Sequence, residues 1–198
     1  MVDKTILDFN NKALPADTDA VLIQEAGGTT KHVLIGDIRK AGVGFFDYND
    51  LNTATTPITH NGSEGFKKLT NDTLGAFTTT EFRPKGMTTL WDAANSQFDF
   101  GELAIGDIVD LRVDLEVTTT SANQEIEIQL LIDIGGSPYS INLLHASYKT
   151  AGTHKVVTYV GGYVGSAGTR DNPAEVQLDT DSSATIKVNG WYAKVVRR

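Results

Sequence analysis

From residue 108 onward, oily and polar side chains alternate with a period of two. Val109, Leu111, Val113, Leu115 and Val117 take every second position, with Asp110, Arg112, Asp114, Glu116 and Thr118 between them. Successive side chains of an extended chain point to opposite faces, so this is a strand with one buried and one solvated face. Ile126, Ile128, Leu130, Ile132 and Ile134 repeat the rhythm, against Glu125, Glu127, Gln129 and Asp133. After Gly135-Gly136-Ser137-Pro138, further strands are predicted over 139–146, 155–163, 174–179, 184–188 and 191–196. Asn189-Gly190 reads as a two-residue hairpin turn. Short strands at 88–91 and 97–100 flank a turn at 92–95. About nine strands with no helical period predict an all-β, antiparallel jelly-roll-like β-sandwich over 88–198.

Upstream, residues 20–25 and 31–35 read as two strands around Gly27-Gly28-Thr29-Thr30, a hairpin, with Asp37 capping a helical turn over 36–41. About forty residues with one hairpin cannot bury a core of their own. Residues 1–42 are therefore expected to pack on sister subunits or another partner as an anchoring segment. The contacts would come from Val21, Leu22, Ile23, Val33, Leu34 and Ile35. Residues 43–87 read as an irregular Thr- and Gly-rich connector with one or two short strands. Leaving Phe45, Phe46, Phe77 and Phe82 on a free linker would be costly, so this stretch is expected to begin the second unit.

Charge and composition narrow the function. Seventeen basic and 25 acidic side chains in 198 residues leave a net charge of −8, which argues against a nucleic-acid partner. No cysteine is present, excluding disulfides, thiolate metal sites and cysteine catalysis. No run approaches the ~18 apolar residues of a membrane span, and the N-terminus lacks the cationic and apolar regions of a signal peptide. A soluble chain made in the cytoplasm is expected.

No catalytic pattern emerges. His32, His60, His145 and His154 are too far apart in sequence for a helix-borne metal pair. His145 falls in phase with Ile141 and Leu143, which predicts an inward or interface position. Asp179-Thr180-Asp181-Ser182-Ser183 has the alternating oxygens of a calcium loop, but lacks the glycine and terminal glutamate of an EF-hand and reads as a hairpin turn; Asp47-Tyr48-Asn49-Asp50 reads likewise. Asp110, Asp114 and Glu116 share one strand face and could place two carboxylates at glycosidase distance, although a solvated face explains them. No Gly-x-Ser-x-Gly elbow or Walker-type loop occurs, and Gly161-Gly162-Tyr163-Val164-Gly165 is a strand-to-loop transition. The expectation is no enzyme, no cofactor and no metal.

Aromatic side chains are the better surface clue. Tyr and Trp suit subunit interfaces and sugar stacking alike. Trp191 and Tyr192 are adjacent, so one enters the core and the other points outward. Trp191, Tyr192, Tyr163, Tyr159, Tyr139 and His145 are the candidates for an oligomer interface or ligand platform.

Two stretches resemble known families. Leu14-Pro15-Ala16-Asp17-Thr18-Asp19-Ala20-Val21-Leu22-Ile23-Gln24-Glu25, followed by Gly27-Gly28-Thr29-Thr30-Lys31-His32-Val33-Leu34-Ile35-Gly36-Asp37-Ile38, resembles the N-terminal anchoring segment of tailed-bacteriophage fibre and tailspike proteins. Ile105-Gly106-Asp107-Ile108-Val109-Asp110-Leu111-Arg112-Val113 and Val188-Asn189-Gly190-Trp191-Tyr192-Ala193-Lys194-Val195 look like the tumour-necrosis-factor-like or C1q-like jelly rolls that end many phage fibres as threefold bundles. The first similarity covers about twenty-five residues, and the second is one of pattern. No heptads or shaft repeats lie between them. The resemblance implies a short virion appendage: a homotrimeric capsid decoration, head-fibre or short tail-fibre protein, bound to other virion proteins through its N-terminal segment. A carbohydrate-binding tip that recognises a host-surface glycan is the alternative. Trp191 or Tyr192, with some of Tyr139, His145 and Tyr159, would then be shielded by a neighbouring subunit.

Overall fold

The computed structural model describes residues 20–24, 30–34 and 42–198. Strands β1 (Ala20–Gln24) and β2 (Thr30–Leu34) pair antiparallel, Ala20 opposite Leu34 and Gln24 opposite Thr30, forming the expected hairpin. Ile35 and the turn at Asp37 lie outside the described residues. Next come β3 (Val43–Asn49), α1 (Asn52–Thr55), β4 (Ile58–His60), β5 (Lys67–Lys68), and the small ribbon of β6 (Trp91–Asp92) and β7 (Gln97–Phe98). Strands β8 (Ile108–Thr119), β9 (Gln124–Ile132), β10 (Tyr139–Tyr148) and β11 (Gly152–Tyr163) follow. Helix α2 (Ala167–Asp171), β12 (Glu175–Thr180) and β13 (Ala184–Val196) complete the order.

One sheet runs β11-β8-β13-β3, with β4 also on β13; the other runs β10-β9-β12-β5. All their pairings are antiparallel. From β8 the chain takes one strand in the first sheet, two in the second, then crosses with each later strand. This is the double-sheet order of a jelly roll. The oily half of the rhythm closes the core: Leu111, Val113, Leu115 and Val117 of β8 and Ile186 and Val188 of β13 are buried together with Ile126, Ile128, Leu130 and Ile132 of β9.

The sandwich does not begin at residue 88. Strand β3 pairs with β13 along its whole length, Val43 opposite Val196 and Asn49 opposite Gly190, so the expected connector supplies a sheet strand. Gly44, Phe46 and Tyr48 form its inner face. Gly44 is required there because a Cβ would lie 2.2 Å from the Pro84 nitrogen. That glycine hides the alternation.

The Asn189-Gly190 hairpin is also corrected, since β13 continues through both residues. The register shifts between Val188 and Gly190, leaving Asn189 as a bulge. Ala184, Ile186 and Val188 point inward before it, and Trp191, Ala193 and Val195 after it. The bulge thus reverses the phase of the strand, imitating a turn between two strands. Gly190 is held by close approach: a Cβ would sit 2.6 Å from the Tyr48 carbonyl.

Strand β9 ends two residues early. Asp133, at φ +64°, is buried rather than outward, accepts a hydrogen bond from Asn172 Nδ2 at 2.6 Å, and leaves Ile134 half-buried. The turn at 92–95 is as expected, with Asp92 Oδ1 accepting from the Ala94 and Asn95 amides at 2.9 and 3.2 Å.

Candidate functional site

The outer face of the five-stranded sheet brings together the exposed rings of Phe45, Tyr159 and Tyr163. The ladder registers place Tyr163, Ile108, Val196 and Val43 in one row across β11, β8, β13 and β3. The next row is Gly161, Asp110, Lys194 and Phe45, and the third is Tyr159, Arg112, Tyr192 and Asp47. Val157 and Asp114 continue it on β11 and β8. Tyr159 and Tyr163 are 70% and 71% exposed, and Val43, Phe45, Ile108 and Val157 are exposed as well. Contiguous exposed apolar side chains of this kind make the face the candidate interaction surface.

The middle of the face is ordered by stacking. The Phe45 and Tyr192 rings lie 5.8 Å apart at 27°, and the Arg112 guanidinium sits 5.3 Å over the Tyr192 ring. The buried Arg112 Nε has no hydrogen-bond partner, so the side chain is held by the ring rather than by a carboxylate. Burial raises the Tyr192 hydroxyl pKa, Arg112 opposes the shift, and Asp47 adds to it. Lys194 Nζ bridges to Asp110 Oδ2 at 3.4 Å. Charges on this face are therefore partly matched, leaving rings and aliphatic groups as its free surface.

The six candidates separate. Tyr192, Tyr159 and Tyr163 share this face. Trp191 does not: it is fully buried within its own chain, 5.7 Å from the Trp91 ring and 6.5 Å from Phe98, so no neighbouring subunit is needed to shield it. Tyr139 belongs to the other sheet and contacts Thr169 Oγ1 through its hydroxyl at 3.2 Å. His145 is exposed, with Nε2 3.8 Å from Glu125 Oε2, because a register shift between Asn142 and Leu144 reverses the phase of β10. Sequence reading placed Arg112 on the solvated face without its aromatic partner, and missed Phe45, Ile108 and Val157 as surface elements. The doublets Ile108-Val109 and Val156-Val157 carried the signal, since two adjacent apolar residues on a strand put one on each face.

The other suspected sites are occupied by structural roles. Asp181 Oδ1 accepts the Glu125 amide, and the Ser182 and Ser183 carbonyls accept Gln124 Nε2. Asp50 Oδ2 accepts from the Thr53 amide and hydroxyl in the first turn of α1, both at 2.6 Å. Asp114 accepts from Asn189 Nδ2, and Glu116 lies between Lys155 and Lys187 in the ladder. His60 is buried, with Nδ1 accepting from the Gly62 amide and Nε2 2.9 Å from the Gly65 carbonyl. Among the described residues, no group of three or more His, Asp or Glu side chains could hold a metal ion, and no helix is long and apolar enough to cross a membrane.

A second feature lies between the sheets, where their β10 and β11 edges meet. It is a cavity of about 350 Å³, walled by Leu111 and Val160 of one sheet and by Leu130, Ile132 and Ile141 of the other. Phe98, Phe100 and Val164 complete its apolar lining, and Tyr139, Tyr163 and Thr169 bring hydroxyl groups to its rim.

No protein-family model matches the chain, and neither does any curated protein sequence. Solved structures give distant likenesses. A protein chain in the structure of infectious bursal disease virus, Gx strain, aligns over 93% of this chain at 10% identity and a TM-score of 0.42, and the chain spans 38% of that protein's length. Eiger TNF from S. frugiperda aligns over 79% of this chain and 92% of its own at 7% identity and a TM-score of 0.41. The CBM22-1-GH10 modules of Clostridium thermocellum xylanase 10B, complexed with xylohexaose, align over 52% of this chain and 19% of their own at 11% identity and a TM-score of 0.33. The jelly-roll assignment rests on the strand order itself.

Proposed function

We propose that this chain is a structural protein of a bacteriophage virion: a capsid decoration, head-fibre or short tail-fibre protein. The sandwich associates as a homotrimer through the outer face of the five-stranded sheet, and the β1–β2 hairpin attaches it to other virion proteins. One observation carries the self-association: Tyr159, Arg112, Tyr192 and Phe45 cluster on a solvent-facing sheet with Tyr163, Ile108 and Val43 beside them. Tyr and Arg are the side chains enriched at the energetic centres of protein interfaces. The attachment role rests on the similarity of residues 14–38 to phage anchoring segments and on the small size of the hairpin.

Sedimentation equilibrium of the 198-residue protein tests the reading. A trimer at micromolar concentration is expected, with more than ~1,000 Å² buried per subunit pair. Dissociation by Tyr192→Ala together with Tyr163→Asp is expected; a stable monomer of the native protein overturns it. A second reading, glycan recognition at the host surface, has its own observation. Tyr159 and Tyr163 stand exposed on either side of Gly161, whose Cβ position lies 3.1 Å from Asp110 Oδ1. Two rings flanking a carboxylate acceptor suit a sugar. Glycan-array binding lost in Tyr163→Ala, with the trimer intact, would favour it.

A further inference from the structure

We infer that the cavity between the β10 and β11 edges is a binding site for a small neutral hydrophobic molecule, a medium-length aliphatic chain or a fused aromatic ring with one uncharged polar end. Three observations meet there. The cavity, about 350 Å³, is roughly twice the ~150 Å³ at which an apolar protein cavity stays dry and takes up benzene. It exists because of a missing side chain. On β11 the inward phase runs Val156, Thr158, Val160 and then Gly162, where a Cβ would meet nothing within 4 Å. Every other inward position of β8 and β9 nearby carries Val, Leu or Ile, so this wall is left open at one residue. Finally, the only polar side chains in the lining are the hydroxyls of Tyr139, Tyr163 and Thr169; Tyr139 and Tyr163 are exposed, and the Tyr139 hydroxyl lies 3.2 Å from Thr169 Oγ1.

The lining decides the class of ligand. No Lys, Arg, Asp, Glu or His lines the cavity, so a carboxylate or ammonium would be buried without a counter-charge. Arg170, next to Thr169, is committed to Asp171 through two hydrogen bonds of 2.6 and 3.0 Å. A sugar, with a hydroxyl on nearly every carbon, would leave most of them unpaired against Leu111, Leu130, Ile132 and Val160. A hydrocarbon with one hydroxyl or ester group at the Tyr139–Thr169 rim leaves none.

The test is fluorescence titration of the assembled 198-residue protein with N-phenyl-1-naphthylamine. A saturable site, one per chain, is expected. 1-Decanol should displace the probe at a concentration at least tenfold below that needed for decanoate, and xylohexaose should not displace it. Gly162→Leu fills the open wall and should weaken probe binding at least tenfold while far-UV circular dichroism and assembly mass stay native. Val160→Phe is a second plug should the first variant not fold. Tyr192→Ala, which addresses the assembly face instead, should leave probe affinity unchanged; this separates failure of the present inference from failure of the assembly proposal. Non-saturable binding, equal affinity in a folded plug variant, or displacement by decanoate or xylohexaose as readily as by decanol overturns the inference.

Discussion

Trp191 and Tyr192 are adjacent in sequence yet point to opposite sides of the sheet, so truncating each in turn separates folding from assembly. Trp191→Ala removes a fully buried indole from a cluster with Trp91 and Phe98. Rings on neighbouring elements cannot all move in to fill the space, so the expected loss is about 3–5 kcal/mol of folding stability. At about 2–4 °C per kcal/mol for a domain of this size, the melting temperature should fall by about 6–20 °C. Tyr192→Ala removes one stacking partner of Phe45 and the platform under Arg112, an intrachain loss of about 1–2 kcal/mol. If Tyr192 also lies at the centre of the trimer contact, the association should weaken by at least ~2 kcal/mol per interface, about thirtyfold. Thermal unfolding followed by circular dichroism at several protein concentrations, paired with sedimentation equilibrium, reads both effects. Association itself raises the apparent melting temperature, so the concentration series is needed to isolate the folding term. The reasoning fails if Tyr192→Ala costs as much as Trp191→Ala at every concentration while the oligomer mass is unchanged, or if Trp191→Ala dissociates the assembly without lowering the dilute-limit melting temperature.

Other substitutions test the fold around this face. Gly190→Ala should destabilise by about 1–3 kcal/mol, because the new methyl lies 2.6 Å from the Tyr48 carbonyl, whereas Gly162→Ala, into open space, should be neutral or stabilising by up to ~1 kcal/mol; chemical denaturation compares them. Gln124→Leu should cost about 2–4 kcal/mol in the same assay, since the buried amide serves the Thr120 and Ser121 amides, Thr180 Oγ1 and the Ser182 and Ser183 carbonyls. For pH, the Glu102 carboxyl is pushed up by burial, but the Thr88 hydroxyl and amide and the Thr89 amide outweigh this and hold it below the usual glutamate value. A folded-state pKa below the unfolded one adds stability that is present above the unfolded pKa and lost as pH falls through the folded one. Stability should thus decline as the solution is acidified below the ordinary glutamate range, and less steeply in Glu102→Gln, as judged by melting temperature against pH.

The fold class was legible because β8 and β9 keep an unbroken two-residue rhythm over nine or more positions. What escaped reading is where that rhythm slips. One extra residue at Asn189 reverses β13, making a single strand look like two strands joined by a turn. The slip in β10 moved His145 from the expected inner face to solvent. In β3, Gly44 blanks out one inward position and Asp47 punctuates the outer face, so a full sheet strand reads as loop. The aromatic outer face was half legible: its tyrosines stood out by type, but Arg112 looked like an ordinary polar filler until Tyr192 and Tyr159 were seen on the strands to either side. The cavity had no signature in sequence, because it depends on which sheet edge faces Gly162.

The slip in β10 has a further consequence at the seam between the layers. It frees the Leu143 carbonyl from the regular ladder, and Thr158 Oγ1 of β11 donates to it at 2.7 Å, tying the outermost strands of the two sheets together. An incoming strand would need evenly spaced amide and carbonyl groups along that border, and here the spacing is broken and one acceptor already taken. That border is therefore a poor template for regular strand pairing with a second copy of the chain.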